Sequence, residues 1–364
     1  MLNPNRNPIT FAVVTSVLGG LALVAVTSGV TRLANIEIFR LQVPLALFLG
    51  SLIVLVGSVF MTLRALAATR PRRTIFLVVS AFSQKHWLAE LLRNIERSLD
   101  RRGYDLVLKI PDSDYLGVSQ LHRLRQIAAR GKRYSGGFII PADPTATHDE
   151  LRTLCRTVPY PIVFVDIAPF GPHAEYPINS AFIGYSADET GRTAAQYVGE
   201  LLHRCVSDHP LVLVVGGKEQ TGRQDRFVAD LRERYRHVDV VVDNTGEFAR
   251  RRARDIVQRR LAEFADSSRP VDVVFCTSDE MALGALDAMT ITRAGPDGHI
   301  TTIVGVDGTR EARALIDAGS LLRATVVQDP TRLAESAVDL MERLIRGEDV
   351  PRHNLLPIHL YSAG

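Results

Sequence analysis

From Thr74 onward, short apolar runs alternate with segments whose apolar residues recur every third or fourth position. The runs predict buried strands at Ile75–Val79, Leu106–Ile110, Gly136–Ile140, Pro161–Val165 and Phe182–Tyr185. A second series is expected at Pro210–Val215, Val238–Asp243, Val271–Phe275, Ile303–Val306 and Ala324–Val327. Between them the spacing predicts helices, such as Leu88–Arg101 with its stripe of Leu88, Leu91, Leu92, Ile95 and Leu99. The others are Ser119–Arg130, Glu150–Thr157, Asp188–Leu202, Asp225–Tyr235, Ala249–Ala265, Asp279–Met289, Arg310–Ala318 and Thr331–Ile345. Such alternation marks βαβ units and a parallel sheet. No low-complexity linker divides the region, so two similar α/β lobes with crossovers are expected, not two independent domains.

The first 73 residues follow another pattern. Ile9–Val30 and Leu41–Leu63 contain no charged residue, and each is long enough to cross the hydrocarbon core as a helix. They predict a membrane anchor of two transmembrane helices. A cleaved signal peptide is the alternative, on the small-residue pattern Ala65-Leu66-Ala67, but its apolar region should be shorter and stand alone. Arg6 precedes the first span, Arg32 and Arg40 lie between the two, and Arg64, Arg70, Arg72 and Arg73 follow the second. The heaviest cluster stays cytoplasmic, which places the large C-terminal part inside; use of one span alone would place it outside.

Composition narrows the function classes. With 46% hydrophobic and 23% charged residues the chain is globular, and a net charge of +3 asks for no nucleic-acid partner. Cys155, Cys205 and Cys276 are scattered and lack CxxC spacing, so they read as buried thiols, not as a disulfide frame or zinc site. Val215-Gly216-Gly217-Lys218 lacks the spacing of a phosphate loop and reads as a tight turn after a strand. Arg250-Arg251-Arg252 and Arg254 read as a solvated helix face, with a surface toward anionic lipid as the alternative. No HExxH, GxSxG or nucleophile–base pair is present, so no catalytic residue, metal or cofactor is expected.

The most informative stretch is Val271–Leu286, VDVVFCTSDEMALGAL. A β-branched run stops at Cys276-Thr277-Ser278-Asp279 and a helix opens at once. Ser and Asp side chains can take up the free N–H groups there, and ligands of open α/β sheets lie at the carboxyl ends of strands. Taken alone, an ordinary capped βα junction explains it. Together with GVDGT at 305–309 and ATVVQDP at 324–330, the string TSDEMALGAL at 277–286 closely resembles sugar-binding proteins of the periplasmic ribose-binding and LacI-repressor type. VVS at 78–80 and IGYSADETGRTAA at 183–195 add to it. The resemblance spans 74–364 and none of the first 73 residues.

The resemblance implies a periplasmic binding protein of type I, in which two Rossmann-like lobes joined by three hinge crossovers close on a small ligand. It divides the chain into lobe 1, about 74–180 plus 308–325, and lobe 2, about 184–305 plus 329–364. It carries ligand-binding roles onto Asp166 as the strand-end carboxylate, Arg226 at the start of a helix, Phe248 as a stacking ring, Asp307 within GVDGT and Gln328 at the last crossover. Gln84, His86 and Trp87 fall where the family has an Asn and two Phe, and Ser278 where it has an Asn. Carboxylates, amides, a forked guanidinium and aromatic faces suit a sugar or polyol. Two departures weaken the case for a pentose: Ile167 replaces an Arg that usually follows the first-lobe Asp, and Ser278 replaces the Asn. Apolar sequence stands where LacI relatives carry a DNA-reading helix-turn-helix, so no DNA partner is expected.

The expectation is a membrane-anchored sugar-binding component of an ABC-type uptake system, partnered by a permease. The alternative is a membrane-tethered, cytoplasmic-side ligand sensor whose closure is read by a signalling partner. A degenerate domain kept for protein interaction is a third, on the strength of Ile167 and Ser278.

Overall fold

The computed structural model describes residues 50–62, 73–81, 86–114, 116–129, 133–171, 176–203, 208–217, 222–266, 269–291 and 300–363. It forms two units, Met1–Arg72 and Arg73–Gly364. In the first, a helix α1 covers residues 50–62, and its apolar side chains are largely exposed, Ile53 at 71% and Met61 at 66%. The expected span Ile9–Val30 lies outside the described residues, as do both ends of Leu41–Leu63. Thirteen residues rise about 20 Å against a hydrocarbon core of about 30 Å. No described helix is long and apolar enough to cross a membrane.

The second unit begins with β1 (Arg73–Val78), α2 (His86–Arg101), β2 (Tyr104–Lys109), α3 (Gly117–Ala128), β3 (Gly136–Ile139), α4 (Pro144–Thr157), β4 (Ile162–Val165) and β5 (Ser180–Tyr185). It continues through α5 (Ala187–Leu202), β6 (Leu211–Val215), α6 (Gly222–Arg234), β7 (Asp239–Asp243), α7 (Arg250–Asp266), β8 (Val273–Cys276), α8 (Asp279–Ile291), β9 (Thr302–Asp307), α9 (Arg310–Asp317) and β10 (Leu322–Val327). It ends with α10 (Pro330–Ile345), β11 (His353–Leu356) and β12 (His359–Ser362). Two six-stranded sheets result, ordered β11-β5-β4-β3-β1-β2 and β12-β10-β9-β8-β6-β7. All pairings are parallel except β10 with β12.

Alternation along each strand decides which helices cover which face. From β1 and the residue after it, Ile75, Leu77 and Val79 meet Leu91 and Ile95 of α2 and Ala337 and Met341 of α10. Phe76 and Val78 point the other way, toward Leu124 of α3 and Leu151 of α4. In the second sheet Leu213, Val215 and Val274 pack against α7 and α8, while Val214 and Phe275 pack against α5 and α6, where Phe227 stacks on Phe275 at 4.0 Å between ring centres. Cys155 and Cys276 are buried and free. The basic run is salt-bridged: Arg250 to Asp287 at 2.7 Å and to Glu311 at 2.8 Å, Arg252 to Glu247 at 3.1 Å.

The chain passes between lobes three times, at Ser186, at Gln328–Asp329 and at Pro357–Ile358. The expected lobe boundaries are therefore corrected. Residues 308–325 belong to lobe 2, because β10 pairs with β9, and residues 330–356 belong to lobe 1, because α10 covers its core and β11 pairs with β5. The sequence placed the crossover one polar strand end too early. β11 and β12 were not expected; each is a four-residue edge strand of mixed burial without a clear alternation.

Helices α5 and α6 touch at Gly191, where a Cβ would collide with the carbonyl oxygen of Arg223. Alanine would favour the helix by about 1 kcal/mol, but a backbone atom cannot swing aside. Gly191→Val should therefore lower the unfolding free energy by about 1–3 kcal/mol in denaturant titrations.

Candidate ligand-binding cleft

Strand order reverses between β1 and β3 in lobe 1 and between β6 and β8 in lobe 2, the positions at which open α/β sheets bind ligands. Ser80, Ile140, Asp166 and Ile167 follow strands of lobe 1 and border a cleft with Ser278, Asp307, Thr309 and Gln328, which end or follow strands of lobe 2. The N-terminus of α2 contributes His86, Trp87 and Leu88, α6 contributes Arg223, the loop before α7 contributes Phe248, and α8 contributes Glu280. At 3.9 Å, His86 Nε2 faces the Glu280 carboxylate, linking the lobes.

Backbone strain is concentrated here. Asp166 (φ 68°), Phe248 (φ 54°) and Asp307 (φ 117°) all line the cleft; Glu247 (φ 46°) is the other described non-glycine residue with positive φ. Conformations of this kind cost about 1–3 kcal/mol each and persist where the surroundings enforce them. For Asp166 the enforcement is visible: its N–H donates to Ile183 O at 3.0 Å while the Ile167 N–H donates to Val165 O at 2.8 Å, a tight γ-turn.

Behind the cleft lies Asp279, fully buried. Its carboxylate accepts from Thr325 Oγ1 at 2.7 Å and from the Thr309 N–H at 2.6 Å, and only a glycine fits at 305, where a Cβ would collide with Oδ1. Asp279 thus pins the β9–α9 turn that carries Asp307, while Ser278 Oγ caps α8 by accepting from Met281 N–H at 3.3 Å. Burial pushes the Asp279 carboxyl up to about 7, against the pull of those hydrogen bonds. Asp307 is raised well above the usual carboxylate range, first by burial and then by the Asp279 charge; Arg223 opposes this and Asp166 adds to it. Arg223 is buried, donates from Nη1 to Thr277 O at 3.0 Å and lies 4.0 Å from Asp307 Oδ1.

Gln328 ties the cleft to the second crossover. Its N–H donates to Asp307 O at 3.1 Å and its Nε2 to Thr190 Oγ1 at 3.0 Å, both in lobe 2. From lobe 1, Trp87 Nε1 donates to the Gln328 carbonyl at 2.6 Å and Tyr185 Oη to the Asp329 carbonyl at 2.9 Å.

Of the residues expected from sequence, His86, Trp87, Asp166, Phe248, Ser278, Asp307 and Gln328 line this cleft, and Gln84 lies outside the described residues. Arg226 does not line it; its Nη2 lies 2.8 Å from Asp230 Oδ1 on the same helix. The correction has a simple cause. Helix α6 starts at Gly222, one turn before the expected Asp225, so the guanidinium at its beginning is that of Arg223. Ser80, Ile140, Thr309 and Glu280 were also missed, though each follows a strand end or opens a helix. Among the described residues no group of three or more His, Cys, Asp or Glu could hold a metal.

The raised carboxyls make stability pH-dependent. The folded chain holds protons on the Asp279–Asp307 pair that the unfolded chain gives up, so unfolding free energy should fall as pH rises from the usual carboxylate range toward about 7. Denaturant titrations across that window should show a shallower fall for Asp279→Asn; parallel profiles would refute the assignment.

Residues 75–349 match the family described as periplasmic binding protein domain. The ribose import binding protein RbsB of Salmonella typhimurium is 24% identical over 297 residues, covering 81% of this chain and 93% of that protein. The HTH-type transcriptional repressor PurR of Mannheimia succiniciproducens is 26% identical over 287 residues, covering 78% of each. Among solved structures, the Caulobacter myo-inositol binding protein bound to myo-inositol superposes with a TM-score of 0.69 at 21% identity, covering 80% of this chain and 94% of that one. These relatives are binding and regulatory proteins by name, not enzymes. With three quarters of its length matched, with two doubly wound lobes and with a cleft at their facing strand ends, the chain belongs to the periplasmic binding protein family.

Proposed function

We propose that this chain is a membrane-anchored binding protein whose lobes close on a small polyhydroxy ligand, serving as the substrate-binding component of an ABC-type sugar uptake system. The observation that carries the reading is the cleft, where Asp166 of lobe 1 faces Arg223, Asp307 and Gln328 of lobe 2 with Trp87 and Phe248 beside them. Forked guanidinium and carboxylate groups bind vicinal hydroxyls, and aromatic rings cover C–H faces. Ribose import by RbsB and bound myo-inositol in the Caulobacter protein support a ligand of this kind. Contacts from both lobes stabilise the closed state, and three short crossings leave room for hinge motion. Anchoring rests on the uncharged runs Ile9–Val30 and Leu41–Leu63 and on the exposed apolar side chains of α1.

One observation favours a second reading. Arg64, Arg70, Arg72 and Arg73 immediately precede the lobes and by the positive-inside rule hold them in the cytoplasm, as a ligand sensor. The repressor relative shows this domain matched in a regulator. Fusing alkaline phosphatase or a fluorescent protein after Gly364 separates the two: phosphatase activity supports the uptake receptor, fluorescence alone the sensor.

The binding reading makes its own prediction. Trp87 is the only tryptophan and lines the cleft, so ribose or myo-inositol added to the full chain should change its fluorescence. Arg223→Ala should weaken that binding by about tenfold to hundredfold, the loss of a buried charged partner. Arg226→Ala, which removes a side chain that pairs with Asp230 on its own helix and does not line the cleft, should change it by less than about threefold.

A further inference from the structure

Lobe 1 turns part of its hydrophobic core toward the cleft. Trp87, Leu88, Ile140 and Ile167 line it, and the same four residues belong to the apolar cluster beneath α2 and α10 or pack against it. Leu88 and Ile140 are buried, whereas Trp87 and Ile167 are half-buried and supply the surface. The backbone under Ile167 is fixed: the Asp166 φ of 68° and the bond from the Ile167 N–H to Val165 O at 2.8 Å hold both residues in one tight turn. A carboxylate and an aliphatic side chain therefore stand on adjacent Cα atoms of the same wall, about 3.8 Å apart.

Resting on the cleft reading above, we infer that the preferred ligand is a 6-deoxy sugar, whose methyl group lies against Ile167 while the hydroxyl on the neighbouring ring carbon donates to Asp166. In a 6-deoxyhexopyranose the methyl and the hydroxyl sit on adjacent carbons, which matches the pairing of aliphatic and carboxylate groups on the wall. A methyl group laid against Ile167 and the Trp87 ring removes apolar surface from water on both partners. An ordinary hexose brings a hydroxymethyl to the same place, and its hydroxyl gives up water for contact with carbon. Lobe 2 sets Arg223, Asp307 and Gln328 along the cleft, where the remaining ring hydroxyls meet them.

The test is calorimetry on the full-length chain in detergent with sugars matched except at the methyl group: L-fucose against L-galactose, D-fucose against D-galactose, and L-rhamnose against L-mannose, with ribose and myo-inositol alongside. In at least one pair the 6-deoxy member should bind about tenfold tighter or better, with a more negative heat-capacity change, the mark of apolar burial. Ile167→Thr puts a hydroxyl on the wall and should cut that ratio below about threefold; Ile167→Val, a milder change that keeps the wall aliphatic, should leave most of it. A ratio unmoved by Ile167→Thr overturns the placement of the methyl group. If paired members bind equally, if the hydroxymethyl member binds tighter, or if only ribose or myo-inositol binds, the deoxy preference is overturned and the sugar cleft stands. If nothing in the panel binds, both readings fall.

Discussion

A parallel sheet tolerates water on neither face, and that constraint organises this molecule. One face of the first sheet is covered by α2, but α2 alone does not cover β4 and β5. Leu333, Ala337 and Met341 of α10 complete it. Because α10 comes last among the helices, the chain must leave lobe 2 after β10 and return. That return creates the crossover at Gln328–Asp329, and the crossover holds two carboxyl-end edges face to face. The cleft thus follows from the need to finish a hydrophobic layer elsewhere.

The cleft itself works against stability. Asp166, Phe248 and Asp307 occupy strained backbone conformations, and the fully buried Asp279 carboxyl, itself raised by burial, helps to raise that of Asp307. None of these choices would be made for packing alone. They are sustained by Asp279's grip on Thr309 and Thr325 and by cores that cover both faces of each sheet. Rigid support behind a strained, charged surface keeps the surface in place before a ligand arrives.

Most strands could be read from the chain because buried runs such as Leu211–Val215 are apolar and β-branched throughout. The lobe boundaries could not. GVDGT and VVQDP both end a buried strand in polar residues, and nothing local says that Thr309 opens a helix on the same lobe while Asp329 opens one on the other. That distinction lies in which core α10 fits. Arg223 was missed for a smaller reason: two arginines three residues apart both lie near the start of α6, and the extra turn beginning at Gly222 moves the role from one to the other. The pinning role of Asp279 was hidden behind its resemblance to a cap; only the packing of Gly305 against it separates the two. The edge strands β11 and β12 were invisible because four mixed residues carry no period.

Gln328 is both a wall of the cleft and part of the segment on which the lobes are joined. A group on the axis of a door stays put while the door swings. On the hinge closure proposed above, whatever touches Gln328 does so in the open and the closed forms alike, whereas Asp166 and Arg223 come together only on closing. Arrival and retention are then separate events: a ligand lodges first at the axis, at a rate set by diffusion into an open mouth. It leaves at a rate set by how often the two lobes part. Evolution could lengthen residence on this scaffold by altering the swinging walls, without slowing the rate of capture.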